Sequence, residues 1–486
     1  MTISRTYFSV NKLARHPNLK NNKAKLAFSS CFRRWVSAES RQLDEIAKQL
    51  SKGKCFAALW GNGDYGRLGF GNLQSEWRPK PILASAFDGQ SLREVACGGA
   101  HTLFLTENGD VYATGLNDFG QLGVSDLNSY TSVCYLSPDA IVEFGVLSVH
   151  DALHFSVLRL ESHFQRFVQF VFNRKPLRVS GIPSRVIRIS AGYHHSAAIT
   201  VDGELYIWGK NANGQLGLGK KAEKIIPVPV KLHCLDGVTI KMASLGFEHS
   251  IAVTDKGEAL SWGDGQSGKL GHGHELSILG FQKSSSEYTP RLIKELEGVK
   301  VKYVSAGMLH SACVCENGSL YFFGERELGK WGFGKANSAT KPSTISSLPL
   351  SDEVACGGYH TCAISNGGDL YTWGSNENGC LGIGCTDVIF SPERVQGPFV
   401  KQPATQVSCG WKHTAAISGG NIYTWGWGGS NGTFKEDGHS PGGQLGHGDD
   451  VDYIEPTPLD FYKNVKAVQV SCGFNHTAAL FEYKSV

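Results

Sequence analysis

Three short signatures recur seven times, in fixed order, along this chain of 486 residues. The first, a small residue followed by Gly-x-x-His-Ser/Thr, places its histidine at His101, His195, His249, His310, His360, His413 and His476. The second is a short apolar run ending in glycine, usually as Trp-Gly, at Gly61, Gly115, Gly209, Gly263, Gly324, Gly374 and Gly426. The third is a loop of the Gly-Gln-Leu-Gly-x-Gly type, beginning at Gly66, Gly120, Gly214, Gly268, Gly329, Gly379 and Gly443. The stretch from Cys409 to Gly426, CGWKHTAAISGGNIYTWG, holds the first two signatures together. Repeats of this length are single supersecondary units that bury their apolar faces only against their neighbours, so the array has to be read as one architecture.

Within each unit a short apolar strand leads to Gly-x-x-His, a second follows, as in His101 to Thr106, and a third runs to the glycine, as in Val111 to Gly115. Between the second and third strands lie Glu107-Asn-Gly-Asp, Val201-Asp-Gly-Glu, Asp255-Lys-Gly-Glu and similar turns. Such turns suit tight hairpins, because Asn and Gly accept positive φ at little cost. The last strand, His476 to Tyr483, lacks its hairpin partner, and the first, Lys54 to Gly61, lacks a histidine strand before it. Joining the two halves completes a unit and removes exposed sheet edges. The expected fold is all-β: a single seven-bladed β-propeller over residues 54–486, closed by pairing of the N- and C-terminal strands.

These signatures, in seven copies from about residue 54 onward, resemble the regulator of chromosome condensation repeat family, in particular plant mitochondrial members related to its ultraviolet-B receptor-like group. The resemblance implies the propeller and its sealing by opposite chain ends. It also brings the family's founding activity into view, guanine-nucleotide exchange on a small GTPase by one propeller face. Light-sensing members carry a repeated Gly-Trp-Arg-His-Thr motif. Here the residue after the glycine is Gly99, Tyr193, Phe247, Met308, Gly358, Trp411 or Phe474, with one Trp among seven, which argues against photoreception.

The formal charge of +3 conceals an asymmetry. Residues 1–38 hold eight Lys/Arg and no acid, leaving 39 basic against 44 acidic residues in the remainder. A slightly acidic body is poorly suited to a general electrostatic grip on nucleic acid, and direct nucleic-acid binding stays open. Residues 1–36 read as a mitochondrial presequence, with Ile3, Tyr7, Val10 and Ala14 on one helical side and Arg5, Lys12 and Arg15 on the other. The alternatives for the leader are a plastid address or a basic tail for nuclear chromatin or membrane contact. Residues 37–53 read as a short helix and linker.

Thirteen cysteines include no C-x-x-C pair, so no zinc or disulfide framework is expected. Cys97, Cys356, Cys409 and Cys472 share one repeat position with Ala191, Leu245 and Ala306, which reads as a buried apolar slot. Cys313 and Cys315 are expected on the two faces of one strand. No uncharged apolar run is long enough to span a bilayer.

Successive histidines lie 50 to 63 residues apart from His195 onward, but 94 separate His101 from His195. Removing residues 133–173 restores a spacing of 53. That stretch has no Lys, one Gly, and 19 Phe, Val, Leu or Ile among its 41 residues, and Val133-Cys134 is encodable as a 5′ splice junction. It reads as a translated, retained intron, with a partner-binding insertion as the alternative. A second departure is the polar loop Trp427 to Gly442, whose Lys435, Glu436, Asp437 and His439 are candidate interaction residues.

Catalytic readings are weak. Gly61 to Gly66 and Gly263 to Gly268 fit G-x-G-x-x-G, but neither opens a helix that would receive a phosphate. One histidine per blade spreads the imidazoles around a ring instead of gathering them, so they are read as structural, satisfying backbone groups. The expectation is a non-enzymatic protein-interaction platform in the mitochondrial matrix, without cofactor, metal or small-molecule substrate. The resemblance implies support of organelle transcript processing and respiratory-complex biogenesis, with an organelle RNA-processing complex or a small GTPase as partner. Nucleotide exchange on a small GTPase and nuclear chromatin binding are the alternatives.

Overall fold

Strand two of each repeat explains the rest of the blade. His195–Thr200 is buried at all six positions, as are the equivalents beginning at His101, His249, His310, His360 and His413. A strand covered on both faces reads as a near-continuous apolar or small-residue run, and Ala, Ile, Val, Ser, Thr and Cys fill most of these, with Leu103, Phe104 and Leu105 in the one from His101. Its partners are strand one, Val186–Ala191, and strand three, Leu205–Lys210, with Ile225–Lys231 outermost.

The computed structural model describes residues 55–82, 84–127, 176–273, 275–276, 282–283, 286–325, 338–429, 442–462 and 464–484. The leader, the residue 37–53 helix, the 133–173 insertion, and Lys435, Glu436, Asp437 and His439 lie outside the described residues. Seven four-stranded antiparallel sheets are present. Six are built from consecutive chain, with first strands at Leu92–Cys97, Val186–Ala191, Ile240–Leu245, Val301–Ala306, Ser351–Cys356 and Ala404–Cys409. The seventh orders its strands Glu76–Pro81, Phe56–Gly61, His476–Tyr483 and Val465–Cys472. Phe56 pairs with Phe481 and Gly61 with His476, so the two chain ends build one blade. The propeller and its closure are as the repeat pattern predicts.

In every blade the histidine that opens strand two pairs with the glycine that closes strand three, as in His101 with Gly115 and His413 with Gly426. Gly115 has φ +116°, and a Cβ there would lie 2.6 Å from the His101 Cα, so no other residue fits. Between blades, sheet faces pack through clusters such as Cys362, Ile364, Val407, Ala416 and Trp425. Cys313 and Cys315 both point into one such cluster, correcting the expectation that they face opposite ways. Side chains two apart on a strand share a face.

The connection from strand three to strand four carries the length variation. From the second glycine of the loop signature to the residue opposite strand three is 13 residues for Gly217 to Val230. It is 54 for Gly123 to Leu177, a difference of 41. Excision of residues 133–173 is therefore expected to leave a folded propeller whose thermal midpoint shifts by no more than about 2 °C, the scale of a sub-kcal/mol change in a domain this large. A collapse of the melting transition on excision would show that the segment is integral to the blade. Among the described residues no helix is long and apolar enough to cross a membrane.

Candidate functional site

The seven repeat histidines form a circuit. Each Nε2 meets the Ser or Thr hydroxyl beside the next histidine: His101 with Ser196 at 2.9 Å, His195 with Ser250 at 3.1 Å, His249 with Ser311 at 2.8 Å, and His310 with Thr361 at 3.0 Å. His360 meets Thr414 at 2.8 Å, His413 meets Thr477 at 3.0 Å, and His476 returns to Thr102 at 2.9 Å. Six of the hydroxyls, those of Thr102, Ser196, Ser250, Ser311, Thr414 and Thr477, donate onward to loop-signature carbonyls, as Ser196 does to Gln121 at 2.8 Å and Thr477 to Gln444 at 2.9 Å. A hydroxyl whose proton is so used accepts from the imidazole, which fixes the Nε2–H tautomer. The same carbonyls take the indole N–H of Trp60, Trp208, Trp262 and Trp425 at 2.8–2.9 Å. The imidazoles thus bond neighbouring blades through hydroxyls, where the sequence reading expected backbone groups. Burial lowers His101, His195, His360 and His413 to about 3, so they are neutral near pH 7, each bonded to the next blade through Nε2.

Just inside this circuit the Gly-x segments converge on the axis. Gly99, Tyr193, Phe247, Met308 and Phe474 each donate a backbone N–H to the glycine carbonyl of an adjacent blade, at 3.0–3.2 Å. The open axial cavity, about 110 Å³, is lined by Cys97, Ala191, Leu245, Ala306, Cys356, Cys409 and Cys472 below their glycines. The shared cysteine position is therefore apolar, as expected, and faces this cavity.

Large side chains from four blades meet at the mouth. Tyr193 contacts Phe247 at 4.2 Å and Phe474 at 5.3 Å between centroids; Phe474 stacks on Trp411 at 4.4 Å, and Trp411 meets Trp427 edge-on at 5.6 Å. Cations flank them. Lys412 lies over Trp411 at 5.0 Å, and Arg67 is buried beneath, donating to the Asp64 carbonyl at 2.9 Å. Burial pulls Arg67 down to about 10, while Asp64 and Tyr65 hold it up, so it keeps its charge at neutral pH. Lys210 binds Glu248 at 2.7 Å beside His194, whose burial lowers it to about 4.

The connections between strands three and four emerge on this same side, since each follows the glycine paired with a mouth-side histidine. They include the one carrying the 133–173 insertion and the one carrying the second departure. The described base of the latter is anchored: Gly428 N donates to Asp452 Oδ1 at 2.8 Å, and Gln444 Nε2 to the Trp427 carbonyl at 2.7 Å. Trp427 at that base touches the aromatic mouth. Sequence reading missed the mouth as a site, although bulky residues at the variable position after the repeat glycine were visible.

A family model described as an RCC1-like domain matches residues 56–479. The chain belongs to the RCC1-like domain family. Among its relatives is the ultraviolet-B receptor UVR8 of Arabidopsis thaliana, 34% identical over 88% of this chain and 71% of that protein. The RCC1 domain-containing protein RUG3, mitochondrial, also of Arabidopsis thaliana, is 31% identical over 61% of this chain and 67% of its own length. The probable E3 ubiquitin-protein ligase HERC4 of Rattus norvegicus is 30% identical over 61% of this chain, which spans only 28% of the ligase. Among solved structures, Prp20p of Saccharomyces cerevisiae superimposes with a TM-score of 0.66 at 22% identity, over 90% of this RCC1-like chain and 93% of its own. That likeness carries the fold alone.

Proposed function

We propose that this RCC1-like propeller is a non-enzymatic protein-interaction platform working in mitochondria, in support of organelle transcript processing and respiratory-complex biogenesis. The observation that carries the platform reading is the convergence, on one face of a rigid ring, of an aromatic, cation-flanked mouth and the described bases of the two longest strand-three-to-four connections. Aromatic residues, Met and Arg are what interface centres are enriched in, and loops on a rigid scaffold are where binding variation concentrates. The histidines, the most reactive-looking residues, are neutral, buried and bonded between blades, which leaves them unsuited to acid–base work. The mitochondrial part rests on the acid-free basic leader and on kinship with RUG3.

A fluorescent protein fused behind residues 1–38 is expected to accumulate in mitochondria; accumulation in nuclei would overturn the compartment and favour a chromatin role. Accelerated release of labelled guanine nucleotide from a mitochondrial small GTPase on adding the propeller would replace the platform reading with nucleotide exchange. The expected result is no acceleration.

A further inference from the structure

One of the seven seams between blades differs chemically from the others. His360, Cys362 and Cys409 bring one donor atom each within 4.8 Å of one another. His360 and Cys362 lie two apart on one strand, sharing a face, and Cys409 ends the first strand of the next blade. At the equivalent positions the other seams pair Leu103 with Ala191, Ala197 with Leu245, Ile251 with Ala306, Ala312 with Cys356, Ala415 with Cys472, and Ala478 with Cys97. Two thiols and an imidazole coincide only here among the described seams.

The imidazole is preset as a ligand. His360 Nε2 is tied to Thr414 Oγ1 at 2.8 Å, and Thr414 donates to the Cys380 carbonyl at 2.8 Å. The ring's other nitrogen, Nδ1, is buried without a hydrogen-bond partner. A ring with one N–H fixed by an outer partner and its other nitrogen left bare is the usual arrangement of a metal-binding histidine. Nδ1 is equally bare at His101, His195, His249, His413 and His476, but apolar side chains take the place of the Cys362 thiol there.

We propose that His360, Cys362 and Cys409 bind one monovalent copper ion. Thiolate sulfur selects soft d¹⁰ ions. Zinc sites of this ligand type are almost always completed to four, and no fourth His, Cys, Asp or Glu joins the group among the described residues. A three-donor site suits Cu⁺ better. Binding forms two Cu–S bonds and one Cu–N bond, releases the thiol protons to solvent and leaves copper's oxidation state unchanged. Entry is from the axis, because Cys409 is partly exposed and lines the central cavity.

The test is anaerobic titration of the full chain with Cu⁺ against a chromogenic chelator, under a non-thiol reductant, with Zn²⁺ titrated in parallel. One Cu⁺ per chain is expected, with affinity falling at least about 100-fold in Cys362→Ala and Cys409→Ala. Both variants should fold, because Ala already occupies these positions in other blades, and circular dichroism verifies it. Cys234→Ser, which removes the exposed thiol, and Cys472→Ala are expected to bind copper as the parent does. Equal copper retention by Cys362→Ala, no retention by the parent, or tighter retention of zinc than of copper would each overturn the proposal.

Discussion

Deleting residues 474–486 is expected to abolish cooperative folding of the whole propeller, not merely to loosen its last strand. Among the described strands, His476–Tyr483 is the one that lies between Phe56–Gly61 and Val465–Cys472, with Ala478, Ala479, Leu480 and Phe481 buried. Losing it opens the ring, exposes two sheet edges, and breaks the His413–Thr477 and His476–Thr102 bonds on both sides. These four buried side chains, two Ala, one Leu and one Phe, alone represent about 5–8 kcal/mol of apolar transfer, comparable with a typical domain's net stability of about 5–15 kcal/mol. The measurement is a thermal melt with size-exclusion chromatography. A truncated chain that stays monomeric and melts within about 5 °C of the parent would show that closure contributes little. Restoring the segment in trans as a peptide should recover the transition if pairing is what was lost.

The second large effect is acid unfolding well above the range in which carboxylates usually drive it. The circuit histidines have folded pKa values far below the ordinary 6.5, by burial first, with neighbouring positive groups adding at most seams. The unfolded chain therefore binds more protons below pH 6.5, and stability present above that pH is lost as pH falls. By pH 5.5 each histidine contributes a loss of about 1.4 kcal/mol, and seven together about 10. Two carboxylates oppose this. Glu94 and Glu353, on the first strands of their blades, are raised to about 7 by desolvation and stabilise the fold as pH drops from 7 toward 4.5. At pH 5.5 they return about 4 kcal/mol together. The net loss of about 6 kcal/mol relative to pH 8, most of it falling between pH 6.5 and 5.5, should move the urea midpoint steeply downward over that window. A midpoint constant within about a tenth from pH 8 to 5.5 would contradict neutral burial of the circuit.

The blades were legible because every unit repeats its own strand, turn and glycine signals, and because the unmatched strands at Phe56 and His476 complement each other. The inter-blade chemistry was not. His101 and Ser196 lie 95 residues apart, and His476 and Thr102 lie 374 apart, so which hydroxyl serves which ring follows from how far adjacent sheets are rotated, a property no local pattern encodes. The histidines were read as bonding backbone groups, whereas their Nε2 atoms meet side-chain hydroxyls of the next blade. The mouth was hidden for a related reason. Tyr193, Phe247, Trp411 and Phe474 occupy one variable repeat position, and their meeting requires the ring to be closed first. Cys362 and Cys409, 47 residues apart, match no linear ligand motif until two blades face each other.

The histidine circuit also bears on how such a ring can grow. Every blade presents an imidazole N–H on one flank and a hydroxyl on the other, so each junction is a head-to-tail, heterologous interface. A duplicated blade inserted at any junction would bring one donor and one acceptor, leaving no orphaned partner at either seam. Blade number is thus indifferent to the hydrogen bonding and is governed by the wedge angle between sheets, which the buried tryptophans Trp60, Trp208, Trp262 and Trp425 help to set. Gain or loss of a whole repeat by unequal recombination would face a steric barrier, not an electrostatic one.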